Sequence, residues 1–247
     1  MTEPKPILRQ TPRAAASNFA KSPWLTALCV CLALSAGLNF LGGAQDIAGG
    51  LQGLGFVPLI FNLMYALGAL YLFAKLNVLR GGISREKYHK AGTAAFCFFI
   101  VLSATVFFLI LFYYSNYSLI SAMTEEQIQE SGLTADDIEH MWALLPYLIF
   151  SVSANVLKTA AVFLFFRCIR RLEGMCGGKN EGTGLFSACS IVAILAAGAE
   201  LCLLMINVQL QQSFVYSLLS ALSNLPGVVL YAGTAVLTRQ VYTGLKA

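Results

Sequence analysis

Charged residues and histidines are scarce in this chain. Asp, Glu, Lys and Arg make up 11% of its 247 residues, against roughly 25% in a soluble globular domain. Neither a Gly-x-Ser-x-Gly elbow nor a phosphate loop ending in Gly-Lys-Ser/Thr occurs, so two common enzyme signatures are missing. The two histidines are His89 and His140, and the cysteines lack zinc-like spacing. We therefore predict no catalytic residue, no cofactor and no metal site, and expect the chain not to be an enzyme.

Apolar residues are the most abundant class in the chain. They make up 57% of the chain, the mean hydropathy is +0.71, and they gather in six long runs. The runs cover residues 24–41, 56–79, 91–115, 143–166, 185–210 and 214–238. Each is close to the roughly 20 residues that a helix needs to cross a bilayer. We predict an all-α, polytopic integral membrane protein with six transmembrane helices in three hairpins over residues 23–240.

The first run has two interpretations. Gly42 and Ala44 precede Gln45 as the small residues of a signal-peptide cleavage site would. The basic segment ahead of the run covers residues 1–22, which is long for the basic region of a signal peptide. An uncleaved membrane anchor is the favoured interpretation.

The basic residues are distributed on one side of the six runs. Fifteen of the 16 Lys and Arg residues lie there with four acids, and Lys158 is the exception. The other side has seven acids and neither Lys nor Arg. Since basic residues mark the cytoplasmic face, we predict cytoplasmic tails over residues 1–22, which we expect to be disordered, and 241–247. We expect this membrane to be a plasma or bacterial cytoplasmic membrane. The net charge of +4 follows from the same bias, so we expect no nucleic-acid partner.

Two loops lie on the acidic side. Residues 42–55 are Gly-rich and predict a short connection. Residues 116–142 contain six acids and two helix starts, at Thr124 and Thr134, so we predict an extracytoplasmic acidic loop of two short amphipathic helices. The acids do not follow the spacing of a calcium loop, which favours a solvated acidic face over a cation site.

Two ionisable residues, Lys158 and Glu200, lie inside the apolar runs. Each costs about 2.5 to 3.5 kcal/mol at the centre of a span on insertion scales. At ~1.5 Å rise per residue they are roughly 7 Å apart along the bundle axis, a gap that the side chains can bridge directly or through Asn155 or water. Small and polar residues share their faces on runs four to six, which is typical of helix interfaces. These residues include Ser151, Asn155, Ser190, Ala193, Ala197, Asn207, Ser217, Ser220, Asn224, Gly227, Tyr231, Thr234 and Thr238.

These patterns predict a polar site among runs four, five and six, while runs one to three offer little that is polar beyond Asn39, Asn62 and Tyr65. The candidate residues are Lys158, Glu200, Asn155, Asn224, Tyr231 and Asn207, with a helix kink at Pro226 and Gly227. The charged residues have three interpretations: an ion pair that fastens helices, a group that handles a substrate or proton, or unrelated placements with the lysine reaching toward the interface. The kink is compatible with a cavity and with ordinary packing.

A short pattern recurs at the ends of the even-numbered runs. Ala69–Lys75, Ala161–Arg167 and Gly233–Arg239 each close an apolar run with a basic residue. One helical hairpin repeated three times would produce this pattern. Unrelated apolar helices that end in a basic residue would look the same.

The sequence favours a small permease-like or channel-like component with a polar cavity among runs four, five and six. The alternative is a non-catalytic scaffold or an accessory subunit of a larger membrane complex. The expected partners are the lipid bilayer, a small solute or ion, and either another membrane protein or a second copy of the chain. No residue pattern names the solute.

Overall fold

The computed structural model describes residues 10–48, 56–124, 142–179, 182–210 and 214–246. Within these ranges the chain forms α-helices and no strand, which confirms the all-helical prediction for this part of the chain. The helices are α1 (Pro12–Lys21), α2 (Pro23–Ala48), α3 (Phe56–Arg80), α4 (Arg85–Ala122), α5 (Leu145–Cys176), α6 (Gly184–Leu210) and α7 (Phe214–Lys246).

In the part of the chain that the structure describes, five helices contain segments long and apolar enough to cross a bilayer. These segments are Pro23–Leu41, Leu59–Arg80, Arg85–Leu119, Leu145–Cys176 and Gly184–Ile206, in α2 to α6. Large apolar side chains on the outer faces are exposed. For example, Leu67, Phe107 and Ile194 are 68%, 58% and 59% exposed. Such continuous apolar surface requires lipid around it. The chain is therefore a membrane-embedded helical protein.

The six long helices form a closed ring. Each packs against the next along the chain, and α7 packs back against α2. The contacts are most extensive within three pairs, α2 with α3, α4 with α5, and α6 with α7. Side chains from five helices surround a small apolar cavity of about 20 Å³ inside the ring, and they include Leu32, Leu72, Phe98, Phe165 and Leu230.

Residues 12–21 form a helix, so the prediction of a disordered tail is wrong for them. The Thr11 side chain accepts a hydrogen bond from the Ala14 N–H, and Pro12 occupies the first turn, both of which favour a helix start. One face carries the buried side chains Ala15, Ala16, Phe19 and Ala20. In the sequence this short apolar face is hidden by the basic residues around it.

Helix α1 covers one end of the ring. This end holds residues 75–90, 167–179 and 239–246, and we call it the basic end. The Phe19 ring lies 6.3 Å from the rings of both Tyr88 in α4 and Phe165 in α5. The Tyr88 hydroxyl donates a hydrogen bond of 2.7 Å to the Ala16 carbonyl. Helix α1 is therefore anchored by one aromatic side chain and a buried hydrogen bond.

Four helices extend well beyond the predicted runs. Helix α2 continues to Ala48, α4 to Ala122 and α5 to Cys176, where loops were predicted, and α7 continues to Lys246, through most of the predicted C-terminal tail. The hydrogen bonds of a helix stay within its own backbone, so polar residues at a membrane surface can continue it. Helix α5 ends where Gly178 adopts a positive φ of 83°, a conformation open to glycine and common at helix ends.

Some predictions fall outside the described residues. These are the two short helices of the acidic loop within residues 125–141, together with His140. The backbone of Asn207 belongs to α6, but the structure does not describe its side chain.

Candidate polar site in the bundle interior

Lys158 and Glu200 meet between α5 and α6. The Lys158 Nζ lies 2.8 Å from Glu200 Oε2, and the two side chains are 17% and 10% exposed. No bridging residue is needed, because the two side chains span the gap between their helices directly. The ion pair therefore lies in an interior that is otherwise mostly apolar, where charges are expensive.

The inward direction of Glu200 follows from the pattern of α6. Its buried face carries Ser190, Ala193, Ala196 and Leu203 along with Glu200. The opposite face carries large apolar side chains in contact with lipid, which are Ile191, Ile194, Leu195, Leu201 and Met205. Small residues on the buried face allow α7 to approach α6 closely, so the carboxylate is enclosed by the second helix.

Gly227 of α7 forms the surface against which the Glu200 carboxylate lies. A Cβ atom at Gly227 would be 2.8 Å from Glu200 Oε1 and 3.3 Å from both Cγ and Cδ. At such distances the Glu200 side chain would have to shift to make room for the Cβ atom. Helix α7 is continuous through the buried Pro226, and the kink remains a prediction. Gly227 therefore leaves the space that the Glu200 side chain occupies.

Two tyrosines from different halves of the chain lie within electrostatic reach of the same acid. The charge of Glu200 acts on the hydroxyls of both Tyr65 in α3 and Tyr231 in α7. Ser35 of α2 hydrogen-bonds with Tyr65 and is itself buried. The expectation that runs four to six alone form the polar core is therefore too narrow, since α2 and α3 also contribute. The signal in the sequence was Tyr65 itself, a lone hydroxyl in the middle of an apolar run.

The Glu200 carboxylate is incompletely hydrogen-bonded. Its Oε2 atom is close to the Lys158 ammonium by distance, yet no hydrogen bond of acceptable geometry reaches this atom within the described residues. At 2.8 Å the contact is an ion pair, and the attraction of the ammonium offsets part of the cost of burying this oxygen.

The predicted asparagines have different positions. Asn155 donates its amide hydrogen to the Ser151 carbonyl of its own helix over 2.9 Å, so this group does not bridge the ion pair. Asn224 is half-buried and lies one turn before Gly227 in α7. Of the polar candidates, Lys158 and Glu200 are in direct contact, and Tyr231 lies within electrostatic reach of Glu200.

A second charged cluster joins α4 to α5 at the basic end. Glu173 accepts a hydrogen bond of 3.0 Å from Arg170, and its other oxygen lies 3.2 Å from His89 Nδ1 and 3.7 Å from Arg85 Nε. This cluster was not predicted from the sequence. Because Arg85 is 75% exposed and His89 56% exposed, solvent screens these contacts, and we interpret the cluster as a surface fastening of two helices.

Comparisons with known proteins leave the polar site as the sole basis for assigning a function. The chain matches no family model, no curated protein and no solved structure. Within the described ranges, no group of three or more His, Cys, Asp or Glu residues could hold a metal ion. Fold and geometry define the class: a membrane-embedded helical protein with a charged pair in its interior.

Proposed function

We propose that the protein is a small permease-like or channel-like membrane component that handles a solute or ion at the Lys158–Glu200 pair. The membrane domain is a six-span bundle of three helical hairpins, α2 with α3, α4 with α5, and α6 with α7. Both termini are cytoplasmic in this proposal, because the basic end carries the arginines and lysines that the positive-inside rule places there.

Helix α7 supplies the sixth span. Its 33 residues correspond to a length of about 50 Å, which exceeds the roughly 30 Å of a bilayer core. It also packs between α6 and α2 and so closes the ring. A helix that completes a ring of membrane spans shares their membrane environment.

One observation carries the functional proposal. It is a nearly buried ion pair with 2.8 Å between the charged atoms, and its carboxylate lies against Gly227. Fastening alone gives a weak reason to keep such a pair, since well-packed apolar residues stabilise a buried site as well or better. Ionisable residues inside membrane spans typically belong to ion, proton or substrate pathways. The pair is thus better explained as a working group than as a fastening.

A scaffold or accessory subunit is the second candidate, and the size of the interior cavity favours it. The cavity next to Tyr231 is about 20 Å³, which holds one water molecule and no larger solute. Under the transport proposal this is a closed state that must open to admit a solute. Under the scaffold proposal it is the permanent packing of the bundle.

Transport by reconstituted protein distinguishes the two candidates. Proteoliposomes would be tested for movement of protons, monovalent ions and a panel of small solutes. We expect Glu200→Gln to abolish a protein-dependent flux while expression and melting temperature stay nearly unchanged, and Asn224→Ala to reduce it. Gly198→Ala is a matched control on α6, because a Cβ there meets no atom within 4 Å. The scaffold candidate is supported if no flux is found and another membrane protein co-purifies stably.

A further inference from the structure

Two cysteines, Cys168 of α5 and Cys189 of α6, lie side by side toward the basic end of the bundle. The Cys168 thiol donates to the Leu185 carbonyl in the first turn of α6 over 3.8 Å, and Cys168 also hydrogen-bonds with Cys189. Because a thiol has a single hydrogen, the Cys168 sulfur is the acceptor in the bond with Cys189. Both thiols are free and fully buried.

The register of α5 against α6 supports this contact independently. The two helices run antiparallel, and Lys158 meets Glu200 at 2.8 Å. Cys168 comes ten residues after Lys158, and Cys189 comes eleven residues before Glu200. Each cysteine therefore lies about 15 Å along its helix from the ion pair, so the two thiols fall at the same level of the same interface.

This interface joins two of the three helix pairs. Helix α5 packs most extensively with α4, and α6 with α7, so separation of the pairs has to move α5 relative to α6. The chain already connects these helices through residues 177–183. A covalent bond at Cys168 would add a second tether roughly 12 Å further along α5 from that connection. One tether leaves two helices free to swivel and slide, whereas a second one removes most of this freedom.

We propose that Cys168 and Cys189 form a redox lock, in which a peroxide oxidises the two thiols to a disulfide that holds α5 against α6 and keeps the helix pairs from separating. This rests on the proposed function, because it regulates opening at the Lys158–Glu200 site. The basic end is cytoplasmic in that proposal. Cytosolic disulfides are mostly transient and redox-sensing, so the dithiol is the open-competent resting form.

The oxidation takes two steps and needs hydrogen peroxide as the oxidant. Cys168 reacts first, because Arg171 lies within electrostatic reach of it and a nearby cation stabilises a thiolate. Its sulfur attacks one peroxide oxygen, the O–O bond breaks, and the hydroxide that leaves takes the thiol proton and becomes water. The Cys189 sulfur then attacks the sulfenic sulfur, and the sulfenic oxygen leaves as a second water with the Cys189 proton. Two electrons pass from the sulfurs to the peroxide.

Burial selects the oxidant and sets the pace of the lock. Hydrogen peroxide is uncharged and close to water in size, so it can enter an interior from which glutathione disulfide is excluded by its bulk and charge. Burial also makes formation of the thiolate slow. The lock therefore responds to sustained peroxide.

Mass spectrometry on the full chain in proteoliposomes tests whether the disulfide forms. The test protein keeps Cys168 and Cys189 and carries alanine at the other cysteines, which are Cys29, Cys31, Cys97, Cys176 and Cys202. After peroxide treatment and capping of free thiols, we expect a cross-linked peptide pair that dithiothreitol separates. The matched control keeps Cys29 and Cys31 alone. These thiols are also buried, but they lie two residues apart on α2 and point to opposite sides of it, so we expect no disulfide.

Flux measured in the same preparations tests whether the disulfide locks the bundle. Peroxide should remove most of the protein-dependent flux of the wild-type chain, and dithiothreitol should restore it. Cys189→Ala should keep its flux in peroxide, because it leaves Cys168 without a thiol to join. Should Cys189→Ala fail to fold, Cys168→Ser gives the same comparison.

The outcomes separate this inference from the proposed function. Absence of the cross-link with peroxide and also with diamide would overturn the pair, and a cross-link that leaves the flux unchanged would overturn the lock. If the reduced protein shows no flux under any condition, the proposed function fails by itself. The lock is then supported by a rise in melting temperature on oxidation that Cys189→Ala abolishes, and contradicted by an unchanged melting temperature.

Discussion

At the scale of single residues, the Lys158–Glu200 contact makes a direct prediction about stability. Lys158→Ala should lower the free energy of unfolding by about 3 kcal/mol, because it leaves a carboxylate buried without its partner. Adding Glu200→Ala should recover part of this loss, since no lone charge then remains. Unfolding of the four proteins of the cycle in mixed micelles measures the coupling. Strictly additive effects would show that the two side chains do not interact.

Gly227 makes a second prediction at this scale. Gly227→Ala places a methyl group 2.8 Å from Glu200 Oε1, so the acid must move away from Lys158. We expect a loss of about 1 to 3 kcal/mol in the free energy of unfolding, as for other overpacked interiors. The same substitution at Gly198 should be neutral or slightly stabilising, because alanine is the better helix former and the space is open. Equal effects at the two glycines would contradict the contact.

Part of the Lys158–Glu200 site could be predicted from the sequence. The placement of Glu200 on an inward face was readable from the small residues around it, and the short axial distance to Lys158 followed from counting helical turns. The approach of Gly227 to the carboxylate and the convergence of Tyr65 on the same acid depend on which helices are neighbours in the ring. Sequence periodicity describes one helix at a time, so contacts between different helices could not be predicted from it.

At the scale of elements, helix α1 is a short helix that packs on the bundle through one small face. Its buried face consists of alanines and Phe19, so most of its packing energy comes from one ring. We expect Phe19→Ala to detach α1, with faster amide hydrogen exchange across residues 14–21 and little change in the interior of α6. Asn18→Ala, on the exposed side of the same helix, is the control. Unchanged protection of α1 in Phe19→Ala would show that other contacts hold it.

The ends of elements were predicted less well than their existence. Every apolar run corresponds to part of a helix, because about 20 apolar residues in a bilayer must satisfy their backbone groups internally. Helix α1 was missed because its apolar face is only four residues among basic ones. The extensions of α2 to Ala48 and α4 to Ala122 were missed because hydropathy reports where lipid contact ends, and a helix continues past that point.

At the scale of the whole molecule, the charge asymmetry predicts an orientation in the membrane. Single cysteines in a cysteine-free background should be labelled by an impermeant reagent at position 130 in intact cells. Positions 85 and 179 should react only after permeabilisation, since they lie at the predicted cytoplasmic end. Labelling of position 85 in intact cells would contradict the orientation.

The closed ring of helices limits what the molecule can do without moving. Its interior cavity of about 20 Å³ is no larger than a water molecule, so a solute requires at least one helix pair to separate. The three extensive helix pairs are natural rigid units for such a movement, because contacts between pairs are fewer than contacts within them. Disulfide links between pairs should therefore stop solute flux.

The most direct measurement replaces the charged pair by apolar residues of similar size, Lys158→Met together with Glu200→Leu, and follows stability and flux in the same preparation. Removing both charges avoids a lone buried ion, so the melting temperature should stay equal or rise. If the pair is a working site, the protein-dependent flux should disappear from this stable variant. A variant that keeps its flux, or one that loses its stability along with it, would show that the pair fastens the bundle and handles no ion or solute.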